Sequence, residues 1–299
     1  MPSTRDIRRR IKSVKNTSQI TKAMQMVAAS KMRHAQEAAI KGRPYAEGMN
    51  KLLNSLVHRA EGISHPLWAH PDAETDIHCV LVISTDKGLC GGLNTNLFRE
   101  VSKLPKETKF VTIGRRAKQF IAKMGLNLVA DFPLVEKPTF QQSKAVSKFL
   151  IDQFEAGEID HVAVLYNEFV NALVQRPKNC QLLPIHELKE FQVGIGEDAK
   201  SDSSSNPSKD LTADLDYIYE PNADAVLSEL FPTYVHFQTY HMLLEAQASE
   251  HSARMVAMKN ATENAKTLVE DLTLEYNKAR QTAITNEILE ISAAQLAMQ

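Results

Sequence analysis

The chain has 299 residues, 43% hydrophobic and 24% charged, enough to bury a sizeable core in one large domain or two ordinary ones. Its 35 basic and 36 acidic residues nearly cancel, so net charge gives no argument for nucleic acid or an anionic membrane as partner. Cys79, Cys90 and Cys180 form no CxxC or zinc-type spacing, which predicts free thiols in a reducing compartment.

The first residues carry a local excess of positive charge, Arg5, Arg8, Arg9, Arg10, Lys12 and Lys15 against Asp6, but no apolar region of a signal peptide. Ser3 is placed to cap a helix. Ile7, Ile11, Val14, Ser18 and Thr21 follow at alternating steps of three and four, with Ile20, Met24, Val27 and Lys31 running beside them. The pattern predicts one helix to about Val57, with Gly42 and Pro44 as a bend or weak point, roughly 80 Å long at ~1.5 Å per residue.

From about Asp76 the periodicity changes. "IHCVLVIS" (77–84), "KFVTIG" (109–114), "NLVADF" (127–132) and "HVAVLYN" (161–167) read as strands, and a further strand runs within "NALVQRPKNCQLLPI". Helical stretches at 94–104, 115–124 and 139–158 alternate with them, which predicts a mostly parallel sheet covered on both faces. Residues 194–216 are rich in Ser and Asp and poor in apolar side chains, so they read as a loop. "DYIYEP" then leads to the last helix.

That helix is predicted from Thr233, with Pro232 in the first turn, and it contains no Gly or Pro up to Ala297. Its seam runs Tyr234, Phe237, His241, Leu244, Ala248, His251, Met255, Met258, Thr262, Ala265, Val269, Leu272, Tyr276, Ala279 and Ala283. A helix of roughly 100 Å at ~1.5 Å per residue cannot be buried in a compact domain, so two terminal helices suggest an antiparallel coiled coil with a domain inserted between them. The C-terminal helix should overshoot its partner by "TAITNEILEISAAQLAMQ", an apolar tip that expects a socket. Glu245 and Glu250 read as a solvated face, and His241 and His251 as packing or solvent-tipped residues.

The stretch that most resembles a site is "DKGLCGGLN" (86–94), a glycine-rich turn between a strand and a helix that carries Lys87 and Cys90. It fits neither GxxxxGK[ST] nor GxGxxG, and Cys90 has no evident His partner beyond His78 on the preceding strand. The reading from residues alone is a turn whose glycines supply positive φ. His241 and His251 are too far apart in sequence for a metal pair on one helix. No catalytic, cofactor or metal site is assigned.

Several long stretches carry a family resemblance: "IRRRIKSVKNTSQITKAMQMVAASKMRHAQ", "STDKGLCGGLNTNLF", "IGRRAKQFI", "DYIYEP", "SEHSARMVAMKNATENA" and "LTLEYNKARQTAITNEILEI". In this order they resemble the γ subunit of the rotary F-type ATP synthase in its bacterial form. The resemblance implies a fold class of α/β plus a long antiparallel coiled coil, with a central Rossmann-like parallel-sheet domain between the terminal helices. The corresponding divisions are 1–58 for the N-terminal helix, 76–193 for the α/β domain, 194–216 for the loop, and 217–299 for a foot segment and the C-terminal helix.

The resemblance also implies a non-catalytic central rotor shaft, one copy per complex, inside a hexamer of α and β subunits. Its foot would meet ε and the c-subunit ring, and it would touch the cytoplasmic face of the inner membrane only through that ring. Lys22, Met24, Lys87, Arg280, Gln281 and Thr285 would contact β, Met24 would face Arg254 across the coil, and Tyr219 and Glu220 would belong to the foot. The chain departs from the family in ending "EISAAQLAMQ" without a glycine pair, and residues 194–214 carry no cysteine of a thiol switch. Two other readings stay open: a stand-alone α/β nucleotide-binding enzyme using Lys87 and Cys90, and a static coiled-coil adaptor.

Overall fold

The computed structural model describes residues 3–59, 65–68, 77–185, 220 and 223–297. The Ser/Asp-rich loop, Tyr219 and most of "DYIYEP" lie outside the described residues. In chain order the elements are α1 (Thr4–Arg59), β1 (His78–Ile83), α2 (Leu93–Val101), β2 (Lys109–Ile113), α3 (Arg115–Met124), β3 (Leu128–Phe132), α4 (Phe140–Glu155), β4 (His161–Phe169), β5 (Gln175–Leu183) and α5 (Ala223–Ala297). The chain divides into two compact units, one made of 1–29 with 254–299 and the other of 30–253.

The larger unit holds a five-stranded sheet in the order β3-β2-β1-β4-β5. β1 to β4 are parallel, and β5 returns antiparallel on β4 as a hairpin. β1 is apolar and buried from Cys79 to Ile83 because both its faces are covered there. Cys79, Leu81 and Ile83 enter the larger core with α4 residues Val146 and Leu150 and α5 residues Leu227 and Phe231. Val80 and Val82 enter the smaller core under α2 and α3, with Leu97, Val101, Ala117 and Ile121. Thr139 caps α4 by accepting the Gln142 N–H, and Gly125 ends α3 at φ 67°.

The terminal helices also run through this unit. Ala35 packs with Ala248, Ala39 with Leu244, and the Tyr45 and Phe237 rings lie 5.1 Å apart. As α1 advances α5 retreats, so the helices are antiparallel. A Cβ on Gly42 would stand 3.5 Å from Phe237 Cζ, so the ring packs directly against the α1 backbone. α1 continues through Gly42 and Pro44 to Arg59, close to the expected end at about Val57, and Ala46, Met49 and Leu53 are buried beyond them.

Two expectations are corrected. α5 begins at Ala223, ten positions before Thr233, and Pro232 lies inside it. A helix-interior proline costs about 3 kcal/mol, and burial of Leu227 and Phe231 (1% and 0% exposed), at about 1.5–3 kcal/mol each, offsets it. Glu245 and Glu250 are buried, not solvated. The heptad accounts for the face of α5 towards α1, but along 234–252 the helix is also covered by the sheet, so positions off the seam are buried as well.

In the smaller unit the seam mixes large apolar residues with alanines and a buried threonine pair. Ile7, Thr21 and Ala28 of α1 and Met258, Thr262, Ala265 and Leu272 of α5 are its buried positions. The Thr21 and Thr262 hydroxyls lie 2.7 Å apart, and each also reaches a carbonyl of its own helix, Ser18 O at 3.0 Å and Met258 O at 2.8 Å. With one proton each, only one hydroxyl donates across the seam while the other donates to its own helix. Ile20 and Val27, in the stripe beside the seam, are exposed. All described side chains from Arg280 to Gln295 are exposed, including Ile284, Ile288, Leu289 and Ile291. Isolated surface apolar residues are ordinary, but four within two turns form a patch.

Candidate interaction site

The glycine-rich turn is braced from within. The Thr85 hydroxyl donates to Lys87 O at 2.7 Å, and Asn94 Nδ2 donates to Thr85 Oγ1 at 2.8 Å and to Cys90 Sγ at 3.4 Å. Positive φ falls at Gly91 (61°) and at Leu89 (64°), so one glycine of the three has the expected role and a leucine takes another strained position. The N-terminus of α3, which could receive an anion, is closed by the chain itself: Asp86 Oδ1 accepts the Arg115 N–H at 2.9 Å. Cys90 is buried under Asn94. His78 stacks on His161 of β4, with ring centroids 5.0 Å apart, at the opposite end of β1 from Cys90. Cys90 and His78 therefore do not form a nucleophile–base pair with each other. Burial pushes the Cys79 thiol up to about 12, which leaves it unreactive.

The sheet order reverses between β1 and β4, where doubly wound folds take nucleotides beyond the strand ends. Here that crevice holds α5. Ser84, Thr85 and Asn167 face Leu243, Gln247 and Glu250 across a space of about 10 Å³, the size of one water. Among the described residues no group of three or more His, Cys, Asp and Glu is placed to hold a metal, and no helix is long and apolar enough to cross a membrane.

Lys87 is exposed and lies in a basic neighbourhood that the sequence does not reveal. Glu136 pairs with Lys31 of α1. Its carboxyl is held below the usual range by that hydrogen bond and charge, and further by the charges of Lys87 and His251. Lys31, His34, Glu136, Lys137 and His251 line a groove of about 210 Å³ floored by Ala35, Ala38 and Leu244. Gln247 Nε2 donates to Val135 O (3.0 Å) and Glu136 O (3.1 Å), strapping this loop to α5. Residues 135–138 have no motif; only the spatial arrangement assembles them.

The other named residues fall on the smaller unit or at the foot. Lys22, Arg280, Gln281 and Thr285 are exposed, and Met24 and Arg254 are half-buried. The Thr285 hydroxyl donates to Gln281 O at 2.9 Å, so these two share one face of α5. Glu220 is exposed. The structure therefore separates the residues into those on the smaller unit and Lys87 and Glu220 on the larger one.

The chain is similar throughout its length to known proteins. A family model described as ATP synthase matches residues 3–298. The ATP synthase gamma chain of Opitutus terrae is 48% identical over 99% of this chain and 99% of its own. Those of Methylacidiphilum infernorum and Akkermansia muciniphila are 47% and 46% identical, with complete coverage of both chains. The fold matches a chain of the Euglena gracilis mitochondrial ATP synthase OSCP/F1/c-ring structure with a TM-score of 0.66 at 20% identity, over 99% of this chain and 94% of that one. In the rotor of the same organism the TM-score is 0.62, over 94% and 98%. With near-complete coverage at this identity, the chain belongs to the ATP synthase gamma chain family.

Proposed function

We infer that the chain is the central rotor shaft of an F-type ATP synthase, coupling ion flow through a membrane ring to ATP synthesis in a catalytic head. The observation that carries this is 48% identity to a gamma chain over 99% of both proteins. The chain works without catalysing a reaction of its own. In support, α5 fills the crevice where a nucleotide would sit, and Cys90 lies buried in a braced turn. Its partners are the α and β subunits, ε and the c ring, and it reaches the cytoplasmic face of the bacterial membrane only through that ring.

The helix pair is the part that turns within the head. Exposed Lys22, Arg280, Gln281 and Thr285, with half-buried Met24, are its contacts with β, and Met24 faces Arg254 across the coil. Lys87, with the basic groove beside it, meets acidic loops of β; solvated pairs of this kind contribute ~0–1 kcal/mol each and so break readily at each step. Tyr219 and Glu220 belong to the foot at ε and the c ring. The divisions 1–58, 76–193, 194–216 and 217–299 then become shaft helix, foot domain, loop, and foot segment with shaft helix.

Reconstitution tests this reading. The purified chain alone should hydrolyse no ATP and should restore coupled activity when mixed with α and β. Turnover by the chain alone, abolished by Cys90→Ser, would refute it in favour of a stand-alone enzyme. A bead on the foot that stays still during ATP hydrolysis would favour a static adaptor.

A further inference from the structure

α5 lies on the β4–β5 hairpin through a cluster of ionisable groups. From β4 come Tyr166 and Glu168, from β5 Lys178 and Cys180, and from α5 His241 and Glu245. Tyr166 and Lys178 are cross-strand partners, and Cys180 pairs with Val164, so these side chains share one face of the hairpin. Glu168 pairs with Lys178, and Tyr166 hydrogen-bonds Glu245. At this level α1 packs Ala35, Ala38 and Ala39 on α5, with Lys31 and His34 lining the groove beside Leu244. His241 and Glu245 are one helical turn apart and 8% and 3% exposed, so both are effectively inside the protein.

An acid and a base one turn apart could form an ion pair. Here Glu245 lies against Tyr166 and His241 within the packed interface, and burial penalises the charged form of both. We propose that the joint between α5 and the hairpin is proton-compensated: seated, it holds Glu245 and His241 both neutral, and unseating it moves one proton from the carboxyl to the imidazole with no net uptake or release. The stability of the joint is thereby independent of pH across the mildly acidic range.

The signs follow from burial. Desolvation raises Glu245 to about 7, moderated by Tyr166 and Lys178, so its contribution to seating is full below 4.5 and is lost as pH rises to 7. Desolvation lowers His241 to about 4, aided by the Lys178 charge, so its contribution is lost as pH falls from 6.5 to 4. Between 4.5 and 6.5 the two slopes oppose each other. Each alone would change the seating equilibrium about 40-fold over that interval.

Hydrogen exchange of the β5 amides (Gln175–Leu183) in the full chain, corrected for intrinsic rates, measures seating. The wild type should show protection that is flat from pH 4.5 to 6.5. Protection should rise about 40-fold over that range in Glu245→Gln, where His241 acts alone, and fall about 40-fold in His241→Gln. The double variant should be flat again. Only slopes count, so a uniform loss of protection in any variant does not affect the test. Tyr166→Phe is a second probe: removing the hydrogen bond that favours the carboxylate should extend the fall in protection above pH 7. A steep wild-type slope, or single variants as flat as the wild type, would overturn the proposal.

Discussion

Gly114 lies where β2 turns into α3, and replacing it with alanine should be among the costliest single-methyl additions in the chain. Its φ is 97°, and the added Cβ would stand 2.3 Å from Ser84 O and 2.9 Å from Ser84 C. The backbone strain alone costs about 1–2 kcal/mol. The contact is with backbone, so relief requires moving Ser84. Ser84 donates its N–H to Ile113 O at 2.8 Å and accepts the Ala117 N–H on Oγ at 2.8 Å. Losing both bonds adds about 1 kcal/mol each, for a total of about 3–4 kcal/mol against a typical stability of about 5–15 kcal/mol.

Two other glycines calibrate the number. Gly91 has φ 61° but open space around it, so Gly91→Ala should cost only about 1 kcal/mol. Gly48 lies within α1 with nothing near, and Gly48→Ala should stabilise by about 0.5–1 kcal/mol. Urea unfolding of the three variants, followed by circular dichroism, should rank them Gly114, Gly91, Gly48 in decreasing cost. A loss below about 1 kcal/mol for Gly114→Ala would refute the reasoning, because strain alone exceeds that.

Thr21→Val should cost about 1 kcal/mol by removing the partner of Thr262, whereas the Thr21→Val, Thr262→Val pair should be close to neutral, since both hydroxyls then leave the seam together; thermal unfolding of the set measures the difference. Ile288→Ser with Leu289→Ser should leave the stability of the isolated chain within about 0.5 kcal/mol, because both side chains are exposed, and should weaken co-purification with α and β. An unchanged yield of complex would remove the tip from the proposed contacts.

Most of the architecture was legible because periodicity carries it. The heptad seam from Tyr234 to Ala279 is buried or half-buried at every position, and the apolar run of β1 matches a strand covered on both faces. What was missed has a common origin in packing between distant segments. Pro232 reads locally as a helix start, but the burial of Leu227 and Phe231 draws the helix through it. Glu245 and Glu250 lie off the seam and read as solvent-facing, yet the sheet covers them. The groove around Glu136 joins α1, a loop and α5, and no local pattern connects Lys31 with Lys137 or His251. The glycine-rich turn shows the reverse case. Its layout resembles a phosphate cradle but its residues read as a turn, and α5 fills the crevice beside it.

That occupied crevice has a mechanical consequence. Within the larger unit, α5 is enclosed from Phe231 to Ser252 by side chains of α1, α4 and the sheet. A helix held only along one stripe can roll about its axis by sliding its ridges. A helix keyed on several sides cannot, because any roll drives Leu243, Gln247 and Glu250 into the ends of β1 and β4. Interiors packed to crystal-like density compress little, so a torque applied to this stretch of α5 passes into the sheet with little lost motion. The space given up by a binding cleft has become a keyway.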